Sequence, residues 1–312
     1  MQLEDQLSRL TPESDTLLSI GVFDGVHLGH KYLISKLIEQ AREQNLLPGV
    51  VTFRQHPQEV VAPQTKLPFL TDLAERSELL RKEGVEAIIP ISFTADIARV
   101  SARQFVSMMQ KHLRMRGLVI GPDFALGRHR EGDTDTLRQL GQDMNFSVTI
   151  VPPARINGEV ISSTAIRRAI ADGDMRKVDK MVGRPFRLRG RVVTGAGRGA
   201  GLGFPTANLD IKAEQAIPAD GVYASWANIN GKAFQSLTNI GKCPTFNGCD
   251  RTVEAYIVDY QGNLYGQELK VDIMERLRGE KKFGTVEELK KQMAEDVKLG
   301  RAILTSEVGN RA

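Results

Sequence analysis

Residues 21–30 have the sequence Gly21-Val22-Phe23-Asp24-Gly25-Val26-His27-Leu28-Gly29-His30 and lie between two contrasting patterns. The apolar run before them, residues 17–20, predicts a buried strand. The apolar residues after them recur at the spacing of one helix face: Leu33, Ile34, Leu37, Ile38 and Ala41. The stretch therefore predicts a strand, a turn and a helix, with two histidines where the helix begins.

The start of a helix attracts phosphate because its first backbone N–H groups are unpaired and the helix dipole is positive there. His27 and His30 are three residues apart, so both can face one anion, and Gly25 and Gly29 allow a close approach of the backbone. This arrangement favours nucleotidyl transfer at the α-phosphate of ATP, with the imidazoles stabilising the developing charge. The alternative is an ordinary tight turn that carries two surface histidines.

The chain around this stretch alternates short apolar runs with helical patterns from about residue 16 to residue 183. Strands are predicted at residues 17–22, 49–53, 87–90, 118–120 and 147–151. Helices are predicted at residues 30–44, 73–82, 101–112, 134–143, 163–171 and 175–181. Such alternation is typical of a parallel sheet with helices on both faces, in which ligands bind beyond the carboxyl ends of the strands.

The pattern changes after Gly183-Arg184-Pro185. Strands separated by short turns are predicted at residues 187–194, 221–229, 233–240, 252–260 and 268–276. The absence of helices between them indicates a small antiparallel barrel. A final helix is predicted from a capping-box pattern, Thr285-x-x-Glu288. The sequence thus indicates two domains, residues 1–183 and 184–312.

The second domain contains a glycine-rich stretch, Gly195-Ala196-Gly197-Arg198-Gly199-Ala200-Gly201-Leu202-Gly203, followed by Phe204-Pro205-Thr206-Ala207-Asn208. Alternating glycines disfavour regular structure and predict a loop. If the following residues are extended, Thr206 and Asn208 share a face, and their oxygens suit Mg²⁺ and phosphate. An ordinary turn with two capping side chains remains the alternative.

Composition excludes several classes of protein. The net charge of +4 is mild and unclustered, so it indicates neither nucleic-acid nor membrane binding. No apolar run approaches the roughly 20 residues that span a bilayer, and the polar N-terminus lacks the apolar core of a signal peptide. With only two cysteines, Cys243 and Cys249, reduced thiols in a cytoplasmic protein are expected.

Taken together, the motifs of both halves resemble the prokaryotic bifunctional riboflavin kinase/FMN adenylyltransferase family, also called FAD synthetase. Three motifs of the first half are similar to GxFDGVHxGH, GxDFxFG and SSTxIR: residues 21–30, 121–127 and 161–167. In the second half, GFPTAN is found at residues 203–208, and further kinase motifs follow at residues 239–241, 244–246, 253–254, 264–266 and 277–278.

The resemblance implies a Rossmann-like nucleotidyltransferase domain and a β-barrel riboflavin kinase domain with a terminal helix. The kinase half would convert riboflavin and ATP to FMN and ADP. The other half would convert FMN and ATP to FAD and pyrophosphate. Mg²⁺ is the implied cofactor and ATP the co-substrate, whereas the oligomeric state stays open.

Particular residues take roles by the same resemblance. The implied ATP and phosphate site of the adenylyltransferase comprises Gly21, Phe23, His27, Gly29, His30, Asp123, Ser163, Thr164 and Arg167, with His27 and His30 catalytic. The implied phosphate site of the kinase comprises Gly197, Gly199, Gly201, Gly203, Thr206 and Asn208. Thr206 and Asn208 would also hold Mg²⁺, and Glu254 would be the general base for the ribityl 5′-hydroxyl. From the residues alone, Ser163 and Thr164 equally suit a helix cap, Asp123 a turn, and Glu254 a solvent-facing strand position.

The chain departs from the family pattern at three places. Arg54 and Gln55 replace the Asp and Pro of FDPHP before His56, Cys243 replaces an Arg, and Leu126 replaces an aromatic residue. The loss of Asp-Pro before His56 supports one alternative, a riboflavin kinase with an impaired adenylyltransferase. A second alternative, from another class, is a flavin- or nucleotide-binding regulator without turnover.

Overall fold

The computed structural model describes residues 2–195, 198–241 and 251–311. Its contacts divide the chain into two compact units, the N-terminal unit up to Ser163 and the C-terminal unit from Thr164. Among the described residues, no helix is long and apolar enough to cross a membrane.

Five parallel strands in the order β3-β2-β1-β4-β5 form the sheet of the N-terminal unit. These strands are β1 (Thr16–Gly21), β2 (Leu47–Phe53), β3 (Ala87–Ile91), β4 (Met115–Ile120) and β5 (Ser147–Ile150). The helices of the unit are α1 (Leu3–Ser8), α2 (Leu28–Glu43), α3 (Pro57–Val61), α4 (Leu73–Lys82), α5 (Ala102–Leu113) and α6 (Thr134–Met144). A small hairpin, β6 (Arg155–Ile156) and β7 (Glu159–Val160), completes it. The predicted parallel sheet is confirmed.

Two apolar cores cover the two faces of this sheet. Successive residues of β1 alternate between them, since Leu17 packs with α2 and α4 whereas Leu18 and Ile20 pack with α5 and α6. The helices that follow β1 and β2 therefore lie on one face, and those on either side of β4 lie on the other. The winding changes sense between β1 and β4, which is where sheets of this type bind ligands.

A closed barrel of six antiparallel strands dominates the C-terminal unit, in the order β10-β11-β12-β9-β8-β13. The strands are β8 (Phe186–Val193), β9 (Thr206–Ile211), β10 (Gly221–Ile229), β11 (Lys232–Gly241), β12 (Thr252–Ile257) and β13 (Glu268–Arg278). The helices are α7 (Ser163–Asp172), α8 (Met175–Val182), α9 (Arg198–Gly201) and α10 (Val286–Arg311). The predicted barrel is thereby confirmed. Strand β9 is not among the predicted strands, although the sequence leaves an extended conformation open for residues 206–208.

The predicted terminal helix is also confirmed. Thr285 Oγ1 accepts a hydrogen bond from the Glu288 backbone N–H at 3.2 Å, which satisfies one of the unpaired groups at the start of α10. The Glu288 carboxylate accepts from the backbone of Gly284 at 3.0 Å rather than from that of Thr285, so the capping box is shifted by one residue.

The compact units divide 20 residues before the boundary read from the sequence, at 163/164 against 183/184. Helix α8 packs on β8 and β13 of the barrel, because its apolar face is buried there: Met175, Val178, Met181 and Val182. The change in sequence pattern at residue 183 marks the start of the barrel strands, whereas packing assigns the two preceding helices to the barrel.

Candidate active sites

The turn between β1 and α2 has a strained backbone. Phe23 and Val26 have φ values of 52° and 35°, and Gly25 has a φ of 82°. Such values are unusual for a β-branched residue such as Val26. Past the turn, His27 caps α2, because its Nδ1 accepts a hydrogen bond from the backbone N–H of His30 at 3.3 Å. In the neutral imidazole this acceptor role leaves the proton on Nε2, which can donate to a phosphate oxygen.

The two histidines predicted to share an anion are in contact. Their rings stack with centroids 3.6 Å apart and planes 17° apart, and the Phe23 ring lies 5.1 Å from that of His30. Burial lowers the pKa of the His30 imidazole well below its ordinary value of 6.5, and the adjacent His27 and Arg76 lower the pKa further. His30 is therefore uncharged at neutral pH.

Three further predicted residues surround this histidine pair. A Cβ on Gly29 would lie 3.0 Å from the Ile161 carbonyl oxygen and 3.1 Å from the His27 ring, so only glycine fits there without a shift. A Cβ on Gly21 would lie 3.2 Å from the ring of Phe23. Ser163 Oγ donates to the Asp24 carbonyl oxygen at 3.0 Å, which ties the start of α7 to the turn.

The other predicted residues of this site are Asp123, Thr164 and Arg167. Asp123 lies in the turn after β4, with an exposed side chain, and its carbonyl oxygen accepts from Arg130 Nη2 at 2.9 Å. Strands β4 and β1 are parallel neighbours in the sheet, so the turn after β4 and the histidine turn after β1 both lie at the carboxyl ends of the strands. Thr164 and Arg167 lie further along α7, in the C-terminal unit.

The structure adds charged groups that sequence reasoning missed. Asp24 and Arg76 are each 1% exposed and lie beneath the histidine turn, with Arg76 Nη2 4.0 Å from Asp24 Oδ1. A signal for Arg76 exists in the sequence, because Leu73, Arg76 and Leu80 fall at the spacing of one helix face. An arginine on an otherwise apolar helix face is expected to be buried, and a buried guanidinium needs hydrogen-bond acceptors or a carboxylate beside it.

Arg54 and Gln55, which depart from the family pattern, both form hydrogen bonds with backbone at the end of β3 or just after it. Arg54 continues the strand pairing through its N–H, which donates to the Ile91 carbonyl at 2.9 Å. Gln55 Nε2 donates to the Phe93 carbonyl at 2.6 Å. His56 is 6% exposed, stacks on the Phe69 ring at 4.3 Å and lies 3.6 Å from Asp24 Oδ2. His56 is thus buried against Phe69 and Asp24.

An apolar cavity of about 830 Å³ opens at the same end of the sheet. Its walls include Phe53, Phe93, Phe105, Phe124 and Leu126, and its rim carries Arg128, His129 and Arg130. The buried Leu126 forms part of this wall where the family pattern has an aromatic residue. A cavity of this size, with an apolar wall and a basic rim, suits a flat aromatic ligand that carries a phosphate.

The residues predicted for the kinase site lie close together on two paired strands of the barrel. Strands β9 and β12 pair so that Asn208 is opposite Glu254 and Thr206 is opposite Tyr256, which places all four side chains on one face. Thr206 Oγ1 donates to Glu254 Oε2 at 3.3 Å. Hydroxyl, amide and carboxylate oxygens therefore meet at one point.

The glycine-rich stretch approaches this point closely. A Cβ on Gly195 would lie 2.1 Å from Asn208 Nδ2, and one on Gly199 would lie 2.3 Å from the Phe204 carbonyl oxygen. Gly201 and Gly203 border open space, and Gly203 has a φ of 87°. Part of the stretch forms the single helical turn α9 rather than an irregular loop. Gly197 lies outside the described residues, as do Cys243 and residues 244–246.

A cavity of about 720 Å³ opens beside Thr206 and Glu254. Its walls include the aromatic rings of Phe204, Tyr256 and Phe283, together with residues from α10. Arg278 also lines it and makes a two-pronged ion pair with Asp296 of α10, with distances between 2.7 and 3.0 Å. Sequence reasoning missed the part of this wall that α10 supplies, because α10 follows β12 by a long interval of chain.

The fold and these two candidate sites are typical of a nucleotide-dependent transferase. Comparisons with known proteins agree. Residues 10–165 match the family model of FAD synthetase, and residues 182–304 match that of riboflavin kinase.

Relatives are similar over nearly the whole chain. The bifunctional riboflavin kinase/FMN adenylyltransferase of Escherichia coli (strain K12) is 36% identical over 287 residues, 91% of each chain. The enzyme of that name from Pseudomonas fluorescens is 35% identical over 97% of this chain and 98% of its own. A solved structure described as a macrolide-efflux protein from Streptococcus pneumoniae superposes with a TM-score of 0.88 at 32% identity, covering 95% of this chain and 96% of that one.

The chain belongs to the bifunctional riboflavin kinase/FMN adenylyltransferase family, and both of the family's domains are present. The resemblance read from its motifs is confirmed.

Proposed function

We propose that the barrel of this protein phosphorylates riboflavin with ATP to give FMN and ADP, and that the parallel-sheet domain joins FMN to the AMP part of a second ATP, giving FAD and pyrophosphate. The observation that carries this proposal is the presence of two preassembled centres in one chain, the stacked pair His27–His30 and the group Thr206–Asn208–Glu254. The curated relatives that cover 91% and 97% of this chain carry both activities in their names.

In the kinase step, Glu254 is the general base. Its carboxylate accepts the proton of the ribityl 5′-hydroxyl as that oxygen bonds to the γ-phosphorus of ATP and the bond to the β–γ bridging oxygen breaks. Thr206 Oγ1 donates to this carboxylate and so orients it. The aromatic walls of the adjoining cavity hold the flavin ring, and Gly199, Gly201 and Gly203 bring backbone close to the ATP phosphates. Gly197 is assigned to the same phosphate site by the family resemblance alone.

The residues present fit Mg²⁺. Thr206 and Asn208 would hold it, since hydroxyl and amide oxygens beside a carboxylate suit this hard cation. Among the described residues, no group of three His, Cys, Asp or Glu side chains could hold a metal alone. Mg²⁺ in kinase sites binds through few protein ligands and the substrate phosphates, and when bound it neutralises phosphate charge.

In the adenylyl transfer step, a phosphate oxygen of FMN bonds to the α-phosphorus of ATP, and the bond to the α–β bridging oxygen breaks to release pyrophosphate. His27 donates from Nε2 to a phosphate oxygen, and the start of α2 adds its positive dipole. His30, which is uncharged, packs against His27 and lines the phosphate site together with Gly21, Phe23 and Gly29. The apolar cavity near Phe53 accepts the flavin ring of FMN.

The domain limits remain part of this proposal. We assign residues 1–183 to adenylyl transfer, with Ser163 in the phosphate site and Asp123 as a substrate contact, and residues 184–312 to the kinase. Thr164 and Arg167 are assigned to adenylyl transfer by the family resemblance alone. Ser163 supports the assignment, because its hydroxyl contacts the histidine turn directly.

The test is chromatography of the products that the purified protein forms from riboflavin, ATP and Mg²⁺. FMN followed by FAD is the expected result. FMN alone would point to an impaired adenylyltransferase, with Arg54 and Gln55 as the first suspects. Riboflavin that binds without any product would contradict the proposal and favour a regulator.

A further inference from the structure

One buried side chain joins the carboxyl ends of two neighbouring strands beneath the histidine turn. Arg76 Nη1 donates to the carbonyl of Val22, just after β1, and to that of Phe53, at the end of β2, at 2.9 Å each. Its Nη2 donates to the Thr71 carbonyl at 3.3 Å. A guanidinium offers several donors in a rigid plane, so one residue can bind three separate backbone segments.

Asp24, which lies within the histidine turn, adds further hydrogen bonds to the same region. Its carboxylate accepts from the backbone N–H groups of Leu70 and Thr71 at 2.9–3.1 Å. The guanidinium of Arg76 lies 4.0 Å from the carboxylate. Both charges are 1% exposed, and burial of an ion is costly unless it is paired and hydrogen-bonded.

The ring of Phe69 supports the same group from another side. The Arg76 guanidinium lies 5.0 Å from the Phe69 centroid, and His56 stacks on that ring at 4.3 Å. The planar cation is thus held between a carboxylate and an aromatic face.

The turn above this group needs such support. Phe23 and Val26 keep positive φ values that cost free energy, and strained residues persist only where the surroundings overdetermine them. Arg76 holds the carbonyl of Val22, next to Phe23. Asp24 and Gly25, between the strained residues, bind Leu70 and Thr71, because Thr71 Oγ1 accepts from the Gly25 N–H at 3.0 Å.

We propose that Arg76 is a positioning residue for adenylyl transfer, which with Asp24 holds the strained turn so that His27 stacks on His30 at the phosphate site. This inference rests on the proposed adenylyl transfer at that turn. The charge of Arg76 is also one of the causes of the low His30 pKa, after burial and His27. Asp24 and His56 are the other titratable groups in this cluster.

The test compares two substitutions in the full chain, Arg76→Met and Arg76→Lys, with Arg81→Met as the matched control. Arg81 is exposed on the same helix. We expect Arg76→Met to lower kcat for FAD formation from FMN about 100-fold, the effect of a misplaced catalytic group, with a smaller change in KM for ATP. Riboflavin phosphorylation by the same preparation should stay unchanged, as should both activities of Arg81→Met.

A spectroscopic readout separates positioning from general stability. In Arg76→Met, NMR titration should show the His30 pKa rising toward its ordinary value, since a neighbouring cation has gone. Arg76→Lys keeps the charge and should leave that pKa low, yet it should lose most of kcat because an ammonium lacks the planar fork. If Arg76→Met does not fold, the kcat of Arg76→Lys decides.

Two results would overturn the inference: a folded Arg76→Met protein that keeps kcat for FAD formation within twofold of the parent, or an Arg76→Lys protein with full kcat. An unsubstituted protein that forms no FAD from FMN would instead overturn the proposed function. In that case an NMR comparison of the His27 and His30 ring resonances in the parent and in Arg76→Met still decides whether Arg76 holds the histidine pair, because unchanged resonances would contradict it.

Discussion

The rings of His27 and His30 lie face to face, 3.6 Å between centroids, at the start of α2. Two imidazolium cations at this separation would repel each other. The His30 ring also has a buried Nδ1 without a hydrogen-bond partner among the described residues, which disfavours a proton there. This geometry therefore disfavours a state in which both imidazoles are charged.

This arrangement predicts a loss of stability in acid. The folded-state pKa of His30 is lowered from 6.5, so the unfolded chain binds a proton first as the pH falls below about 6.5. The free energy of unfolding should then decrease by up to about 1.4 kcal/mol per pH unit from this residue, until the folded His30 is itself protonated. Urea unfolding from pH 7.5 to pH 5 measures the slope. Its control is His30→Gln, which should show a shallower slope; equal slopes would exclude His30 as the cause.

Substitution of Glu254 separates an enzyme from a binding protein. Glu254→Gln keeps the shape of the side chain but removes the base, so kcat for FMN formation should fall about 10²- to 10⁴-fold. Riboflavin binding, measured by fluorescence quenching, should change little, and FAD formation from supplied FMN should be unaffected. Glu214→Gln, at an exposed position of the same unit, is the control and should retain full activity. Full kinase activity in Glu254→Gln would remove the general-base role.

A methyl group at Gly25 should destabilise the N-terminal unit. The φ of 82° is unfavourable for alanine, and its Cβ would lie 2.8 Å from Leu70 Cδ1. Strain and overpacking together should cost roughly 2–4 kcal/mol. The control is Gly121→Ala, where a Cβ meets nothing within 4 Å. Thermal unfolding of both variants gives the measurement, and similar melting temperatures would contradict the structural explanation.

The pair Arg278–Asp296 should hold α10 against the barrel cavity. Their side chains are only 15% and 7% exposed, so Asp296→Ala would leave a largely buried, unpaired guanidinium and cost about 3 kcal/mol. Riboflavin affinity should fall too, since both residues line the cavity. The double variant Arg278→Met/Asp296→Leu should recover much of the stability. Additive losses in a double-mutant cycle would show that the pair does not act as a unit.

Short-range patterns predicted most of the elements. The helix at Leu73–Lys82 has the predicted bounds, as does the strand Gly221–Ile229, because each ends where a clear periodicity ends. The sequence does not by itself predict strand β9, because a glycine-rich stretch precedes it and its own apolar pattern is weak. The helical turn at Arg198–Gly201 contradicts the expectation of an irregular loop; its backbone hydrogen bonds from Leu202 and Phe204 to Gly199 overcome the low helix propensity of glycine.

What the sequence by itself determined is the order of elements, the two-domain architecture, and the histidine turn and GFPTAN segment as phosphate-binding candidates, because these follow from neighbours a few residues apart. Only the tertiary structure decided which distant groups meet. Thr206 contacts Glu254 across 48 residues through the register of β9 with β12. Arg76 reaches the histidine turn because packing of α4 on the sheet directs its side chain inward. Register and helix packing depend on the whole core, so no local pattern of residues contains them.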